Sequence, residues 1–270
     1  VMAVEAAFLR AALPRLSPNN AKGEFYLTDI AAMASSEGRG FAVTRGNQEE
    51  VLGVNSRVEL AAAEAVFQRR RRREAMEGGA TLIDPDTVHF AWDTRLGADV
   101  TIEPNVFFGP GVEIGDNVIV KASSHLEGAR VGAGASVGPF ARLRPGADLG
   151  PRARVGNFVE VKAATLGEDA KVNHLTYIGD ASVGARANIG AGTITCNYDG
   201  YDKHRTVIGE GAFVGPNSAL AAPVTIGAGA YIGSGSVVTR NDALAVARGR
   251  QAEIKGWAAR FRRAHSKRKD

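Results

Sequence analysis

Residues 131–160 read VGAGAS VGPFAR LRPGAD LGPRAR VGNFVE, five consecutive hexads that each open on Val or Leu. The frame extends outward on both sides. Upstream, IEPNVF, FGPGVE, IGDNVI and VKASSH occupy 102–125; downstream, VGARAN, IGAGTI, IGEGAF, VGPNSA, LAAPVT, IGAGAY and IGSGSV carry it towards Val238. A period of six fits neither the 3.6-residue helical repeat nor the two-residue alternation of a lone strand. It fits a solenoid in which each hexad supplies one short strand and one corner. The leading aliphatic residue points inward and stacks on its equivalents in the coils above and below. The Gly that commonly follows permits a corner that a Cβ would obstruct. Three such sides close a coil of roughly eighteen residues. The predicted fold is mainly β: a left-handed parallel β-helix of hexapeptide repeats, preceded by a connecting α-helix and a small α/β remnant.

The composition agrees. Gly at 33 of 270 residues is high and aromatics at 7% are low, as a repeat of small corners requires. The net charge is only +4. It is concentrated in the Arg69–Arg73 run and a basic C-terminal tail. Cys196 is the single cysteine, which excludes a disulfide framework and a Cys-rich metal site and suits a reducing cytoplasm. No apolar run approaches the ~20 residues that span a bilayer. The N-terminal VMAVEAAFLRAALPRLSPNN lacks the basic n-region of a signal peptide. A cytoplasmic location without integral membrane association is expected.

Four segments are expected along the chain. Residues 1–55 read as the end of another domain, with helices at Ala3–Leu13 (stopping at Pro14) and Thr28–Ser36, and a strand at Phe41-Ala42-Val43. About fifty such residues form a poor independent core, and the chain lacks an initiator Met, so a fragment of a longer protein is expected. Residues 56–79 form a helical linker, opened by the capping box Ser56…Glu59 and stopped by Gly78-Gly79. Its five consecutive arginines are expected to be solvated, as charge runs usually are. They lack the aromatic interleaving of a nucleic-acid site. Residues 80–240 form the β-helix, and 241–270 a C-terminal extension with an amphipathic segment around Ile254, Trp257 and Phe261.

The hexad frame breaks where it can carry function. Single-residue deletions fall at LEGAR (126–130), VKAAT (161–165) and IGDAS (178–182), and TCNYDGYDKHR (195–205) leaves the frame entirely. Loops expelled from a regular scaffold are where function concentrates. Arg144 and Lys162, eighteen residues apart, should stack on neighbouring coils. A guanidinium fork beside an ammonium suits a phosphate, although ordinary surface cations fit the spacing equally well. His174 is a candidate general base or a structural histidine. Asn188, about one coil away, can face the same cleft. Asn197, Tyr198 and Lys203 ride on the expelled loop, which can cover a cleft or reach a neighbouring subunit.

Four of these stretches, GPFARLRPGA (138–147), VGNFVEVK (155–162), NHLTYIGDA (173–181) and NIGAGTITCNYDG (188–200), resemble one enzyme family. They are similar to the acetyltransferase half of the bifunctional N-acetylglucosamine-1-phosphate uridyltransferase/glucosamine-1-phosphate acetyltransferases (GlmU). NNAKGEFYLTDIAAMA (19–34) and GVNSR (53–57) resemble the end of the uridyltransferase half. The resemblance implies acetyl transfer from acetyl-CoA to the amine of glucosamine-1-phosphate, with His174 as base. It implies that Arg144 and Lys162 hold the sugar phosphate, Tyr177 and Asn188 contact the sugar, and Lys203 lies on a loop near the site. Ala191, Asn197, Tyr198 and Arg248 match acetyl-CoA contacts, as do the positions held here by Pro216 and Ser234. It further implies a homotrimer with sites between subunits, and Asn55 as one ligand of the Mg²⁺ used by the uridyltransferase half.

Departures from the pattern are confined. Pro216 offers no N–H and no hydroxyl where the family carries Ser, Ser234 replaces Ala, and the approach to Arg248 is two residues shorter. The glycine-rich nucleotide-binding start of the uridyltransferase half is not in this sequence, so that activity is not expected of the chain as given. Competing readings are weaker. A metal-dependent hydratase needs three converging histidines, yet His125 and His174 are almost three coils apart. A purely structural or ice-binding solenoid would repeat an outward Thr array. A hexapeptide acyltransferase acting on another amine or hydroxyl differs from the favoured reading chiefly by lacking a use for Arg144 and Lys162.

Overall fold

The computed structural model describes residues 2–239, which divide into two compact units between Val66 and Phe67. In the first, helices α1 (Ala6–Ala12) and α2 (Asp29–Ser36) bury Phe8, Ala12, Ile30 and Ala34 together. The first helix is shorter than its sequence pattern. The chain passes through Pro14 as a 3-10 turn, Leu13–Arg15, because proline is tolerated in a first helical turn. Of the expected face Leu27, Ile30 and Met33, Ile30 is buried, Met33 packs against the cluster and Leu27 is exposed. Phe41-Ala42-Val43 is not a strand. No neighbouring segment completes its backbone hydrogen bonds, and Phe41 and Val43 stand 65% and 83% exposed. The described part of this unit is helical rather than α/β.

Helix α3 (Arg57–Glu77) starts on the predicted cap: the Ser56 hydroxyl accepts from the Glu59 N–H, and the Glu59 carboxylate accepts from the Asn55 N–H at 2.6 Å. That backbone donor holds the Glu59 carboxyl below its usual range. At the other end Ala80 N–H reaches back to the Ala75 carbonyl while Gly79 takes φ 97°, closing the helix as a glycine stop does. The arginine run is not uniformly solvated, contrary to expectation. Arg72 donates to the carbonyls of Val88 and Asp86, Arg71 donates to the Thr94 carbonyl, and the buried Gln68 pairs with both backbone groups of Phe90. The end of a solenoid exposes unpaired backbone groups, and this helix turn supplies their partners. Arg69, Arg70 and Arg73 remain exposed.

From Thr81 to Val238 the chain winds through three parallel sheets of nine, nine and eight strands among the described residues. Sheet I runs from Thr81–Leu82 to Tyr231–Ile232, sheet II from His89–Phe90 to Val237–Val238, and sheet III from Arg95–Leu96 to Val224–Ile226. Each strand pairs with its equivalent one coil away, never with its sequence neighbour. The inward residues stack into columns, and the three-residue strands of sheet III turn two inward, as Ala147 and Leu149 do. In sheet I the column passes through Ile102, Val120, Val137, Val155, Val172, Ile189 and Val214, each at most 2% exposed. Burial of each such side chain contributes roughly 1.5–3 kcal/mol. The short steps lie where the sequence breaks: Leu143 pairs with Val161, yet Ala147 pairs with Ala164 one residue early. Thr195 and Cys196, expected outside the frame, stay in sheet II opposite Leu220 and Ala221; residues 197–205 leave the coil, and Ala181 pairs with Thr206 across them without disturbing the stack above.

Candidate active site

Two outward features meet around the short coils. On sheet II, the pairs Arg142–Glu160 and Leu143–Val161 place Arg144 beside Lys162 on adjacent strands. Arg144 donates to Glu160 at 2.8 Å, and the Lys162 ammonium lies 3.9 Å from Asp180. Glu160 raises the Arg144 pKa further, keeping the guanidinium charged. Lys162 is in register with Gly179 on the next coil, and the Tyr177 ring lies over that glycine, where a Cβ would collide with the phenol. Arg144, Lys162 and Tyr177 therefore share one outward face, with Glu160 and Asp180 holding the two cations.

Around the corner, sheet I carries His174, whose Nδ1 stands 2.5 Å from Oδ1 of Asn157 on the coil below. The sheet I register, continued two residues past Val172, Ile189, Val214 and Ile232, places Ala191, Pro216 and Ser234 successively above His174. Backbone bonds pin this corner: Gly192 to the Leu175 carbonyl, Asn217 to Ala191 and Gly235 to Pro216. Buried Thr176 donates its hydroxyl to the His174 carbonyl at 2.6 Å. Next to the column, Phe140, Phe158 and Leu175 all adopt positive φ and stand 52–61% exposed, with the two phenyl rings stacked at 5.2 Å.

The remaining predicted residues are placed as follows. Asn188 is on the coil above His174 and pairs with Lys171, three positions earlier along the strand. Asn197 is buried at the root of the expelled loop, its amide donating to Asp180 and linking that loop to the Lys162 partner. Tyr198 and Lys203 form an antiparallel bridge in the loop. The tip is tied by Asp199, which accepts from the N–H groups of Tyr201 and Asp202 at 2.8 Å and lies 2.7 Å from His204 Nε2. These donors, the Asp202 N–H first, hold the Asp199 carboxyl well below the usual range. Arg248 and the segment around Ile254, Trp257 and Phe261 lie outside the described residues.

Metal chemistry finds no support among the described residues. Asn55 is exposed, and among the described residues no group of three or more His, Cys, Asp or Glu side chains converges there or elsewhere. One amide does not hold a divalent cation, so the residues present do not fit a magnesium site. His89 and His125 stack on either side of Phe107 on sheet II, a different side of the coil from His174, and His265 lies outside the described residues. Among the described residues, no helix is long and apolar enough to cross a membrane.

The sequence reading missed Asn157, Glu160, Thr176 and Asp180. The first two stand inside VGNFVEVK, but their role depends on register. Asn157 meets His174 only because the intervening coil is one residue short.

Residues 93–128 and 205–240 match the bacterial transferase hexapeptide family of six-repeat segments, the class that this solenoid and its outward cluster define. Within that class the chain is 57% identical to the bifunctional protein GlmU of Paramagnetospirillum magneticum over 97% of this chain and 59% of that protein. It is 59% identical to the GlmU proteins of Sphingopyxis alaskensis and Azorhizobium caulinodans, over 100% and 99% of this chain and 60% of each relative. The chain belongs to the GlmU family and spans about 60% of the length of the curated relatives it matches.

Proposed function

We propose that the chain transfers the acetyl group of acetyl-CoA to the amine of glucosamine-1-phosphate, a step towards UDP-N-acetylglucosamine and the cell-wall precursors made from it. The observation that carries this reading is the pairing of two partly buried cations, Arg144 and Lys162, with a histidine around one corner of the same coils. Arg144 and Lys162 bind the sugar phosphate, Tyr177 and Asn188 contact the sugar, and Lys203 approaches from the loop. The column Ala191, Pro216 and Ser234 suits an extended acyl carrier running along the axis, because strands repeat every ~4.8 Å. Ser234, three coils above His174, then lies ~14 Å from it. Asn197, Tyr198 and Arg248 are assigned to the same co-substrate.

His174 takes a proton from the attacking amine. The new C–N bond forms as the thioester C–S bond breaks, and the proton passes to the departing sulfur. Exposed Phe140, Phe158 and Leu175 beside His174, together with the expelled loop, support a homotrimer with sites between subunits. The exposed free thiol of Cys196 suits the cytoplasm. A uridyltransferase step and its Mg²⁺ are assigned to no residues of this chain. Acceptor profiling tests the reading: glucosamine-1-phosphate should be acetylated far faster than glucosamine. Equal rates on the two would favour a hexapeptide acyltransferase with another amino or hydroxyl acceptor.

A further inference from the structure

We infer that Asn157 is a positioning residue that selects the reactive tautomer of His174. The inference rests on His174 as the base. An amide oxygen has lone pairs and no hydrogen, so at 2.5 Å from Nδ1 it accepts the Nδ1–H. The ring's second nitrogen, Nε2, is then the one left with a free lone pair, and a base must present that lone pair to the amine. With the opposite tautomer, Nε2 would carry hydrogen and could accept nothing.

The backbone is built to hold this contact. Asn157 and His174 are paired residues on adjacent strands, and the Leu175 N–H donates to the Asn157 carbonyl at 3.0 Å. Thr176 fastens the His174 carbonyl from the other side at 2.6 Å. At position 156 the coils approach so closely that a Cβ would stand 2.6 Å from the Asn173 carbonyl carbon. Glycine there brings residue 157 over residue 174.

The tautomer can be read without any turnover. Long-range ¹H–¹⁵N spectra of histidine-labelled protein, with His174 assigned by its loss in His174→Gln, report which ring nitrogen is protonated in the neutral state. The expected result is Nδ1–H in the parent and in Asn157→Asp, whose carboxylate also accepts, and a mixture in Asn157→Ala. In the acetyl-transfer assay, Asn157→Ala should lower kcat at least ~10-fold, a part of the ~10²–10⁴ that a positioned base supplies. KM for both substrates should stay unchanged, and Asn157→Asp should recover most of kcat. An Nε2–H tautomer in the parent, or an unchanged Nδ1–H tautomer in Asn157→Ala, overturns the assignment even in a protein that transfers nothing. Absence of acetyl transfer with the Nδ1–H tautomer intact would instead refute the proposed reaction and leave the tautomer assignment standing.

Discussion

Gly156→Ala perturbs the site without touching any side chain in it. A Cβ at this position would lie 2.6 Å from the carbonyl carbon of Asn173 and 2.9 Å from its Cα, and closer still to its oxygen. Ordinary contact begins near 3.4 Å, so the two coils must part locally by about 1 Å. The obstructing atoms are backbone, which cannot rotate away. The same two strands carry Asn157 and His174, whose 2.5 Å contact cannot survive such a separation. Overpacking of this kind costs about 1–3 kcal/mol of stability, which a solenoid with continuous apolar columns should tolerate. A misplacement of ~1 Å in a catalytic group can cost about 10² in rate. The variant should therefore stay folded, with a modestly lowered melting temperature, and lose about 10² in kcat with little change in KM. Circular dichroism melts and thiol-release kinetics measure both. Unchanged kcat in the folded variant would refute the claim that the close approach at Gly156 sets the imidazole.

Three further outcomes follow from the same geometry. Lys162→Ala should raise KM for glucosamine-1-phosphate about 10–100-fold, the loss of one charge-assisted contact of ~1.5–3 kcal/mol. KM for acetyl-CoA should hardly move, and equal losses would remove the phosphate role. Gln68→Ala orphans the N–H and carbonyl of Phe90, itself 2% exposed, at about 1–3 kcal/mol each; urea denaturation should show the loss, and an unchanged midpoint would mean that helix α3 does not secure the end of the solenoid. Asp199 has its folded pKa depressed. Its contribution to the loop is therefore complete above the ordinary carboxyl value of about 3.9 and is lost only as the pH falls through the lower folded value. A ¹³C carboxyl titration should give a midpoint below that ordinary value, and a normal midpoint would mean that Tyr201, Asp202 and His204 do not fasten the loop tip.

The solenoid was legible because its constraint is local and repeated. Strands of two to four residues repeat the same inward positions in every hexad, as Ile102 with Val106 and Phe108 with Val112 do, so the apolar frame is written directly in the sequence. The alignment of Arg144 with Lys162 was legible for the same reason, since no short step intervenes between them. Elsewhere register decided, and register sums every skipped residue. The short step at 161–165 brought Asn157 onto His174, and the one at 178–182 set Asn188 opposite Lys171. The arginine run misled because composition does not say which carbonyls lie within reach; Arg71 and Arg72 found those of Asp86, Val88 and Thr94. Phe41 and Val43 carry strand propensity, but a strand also needs a partner, and propensity says nothing about one.

The measurement that bears most directly on the account is thiol release from acetyl-CoA in the presence of glucosamine-1-phosphate, comparing the parent chain with His174→Ala. The account predicts robust release that depends on the sugar phosphate and falls by about 10² or more in the variant. Release that is undiminished in His174→Ala, or absent from the folded parent, would contradict it.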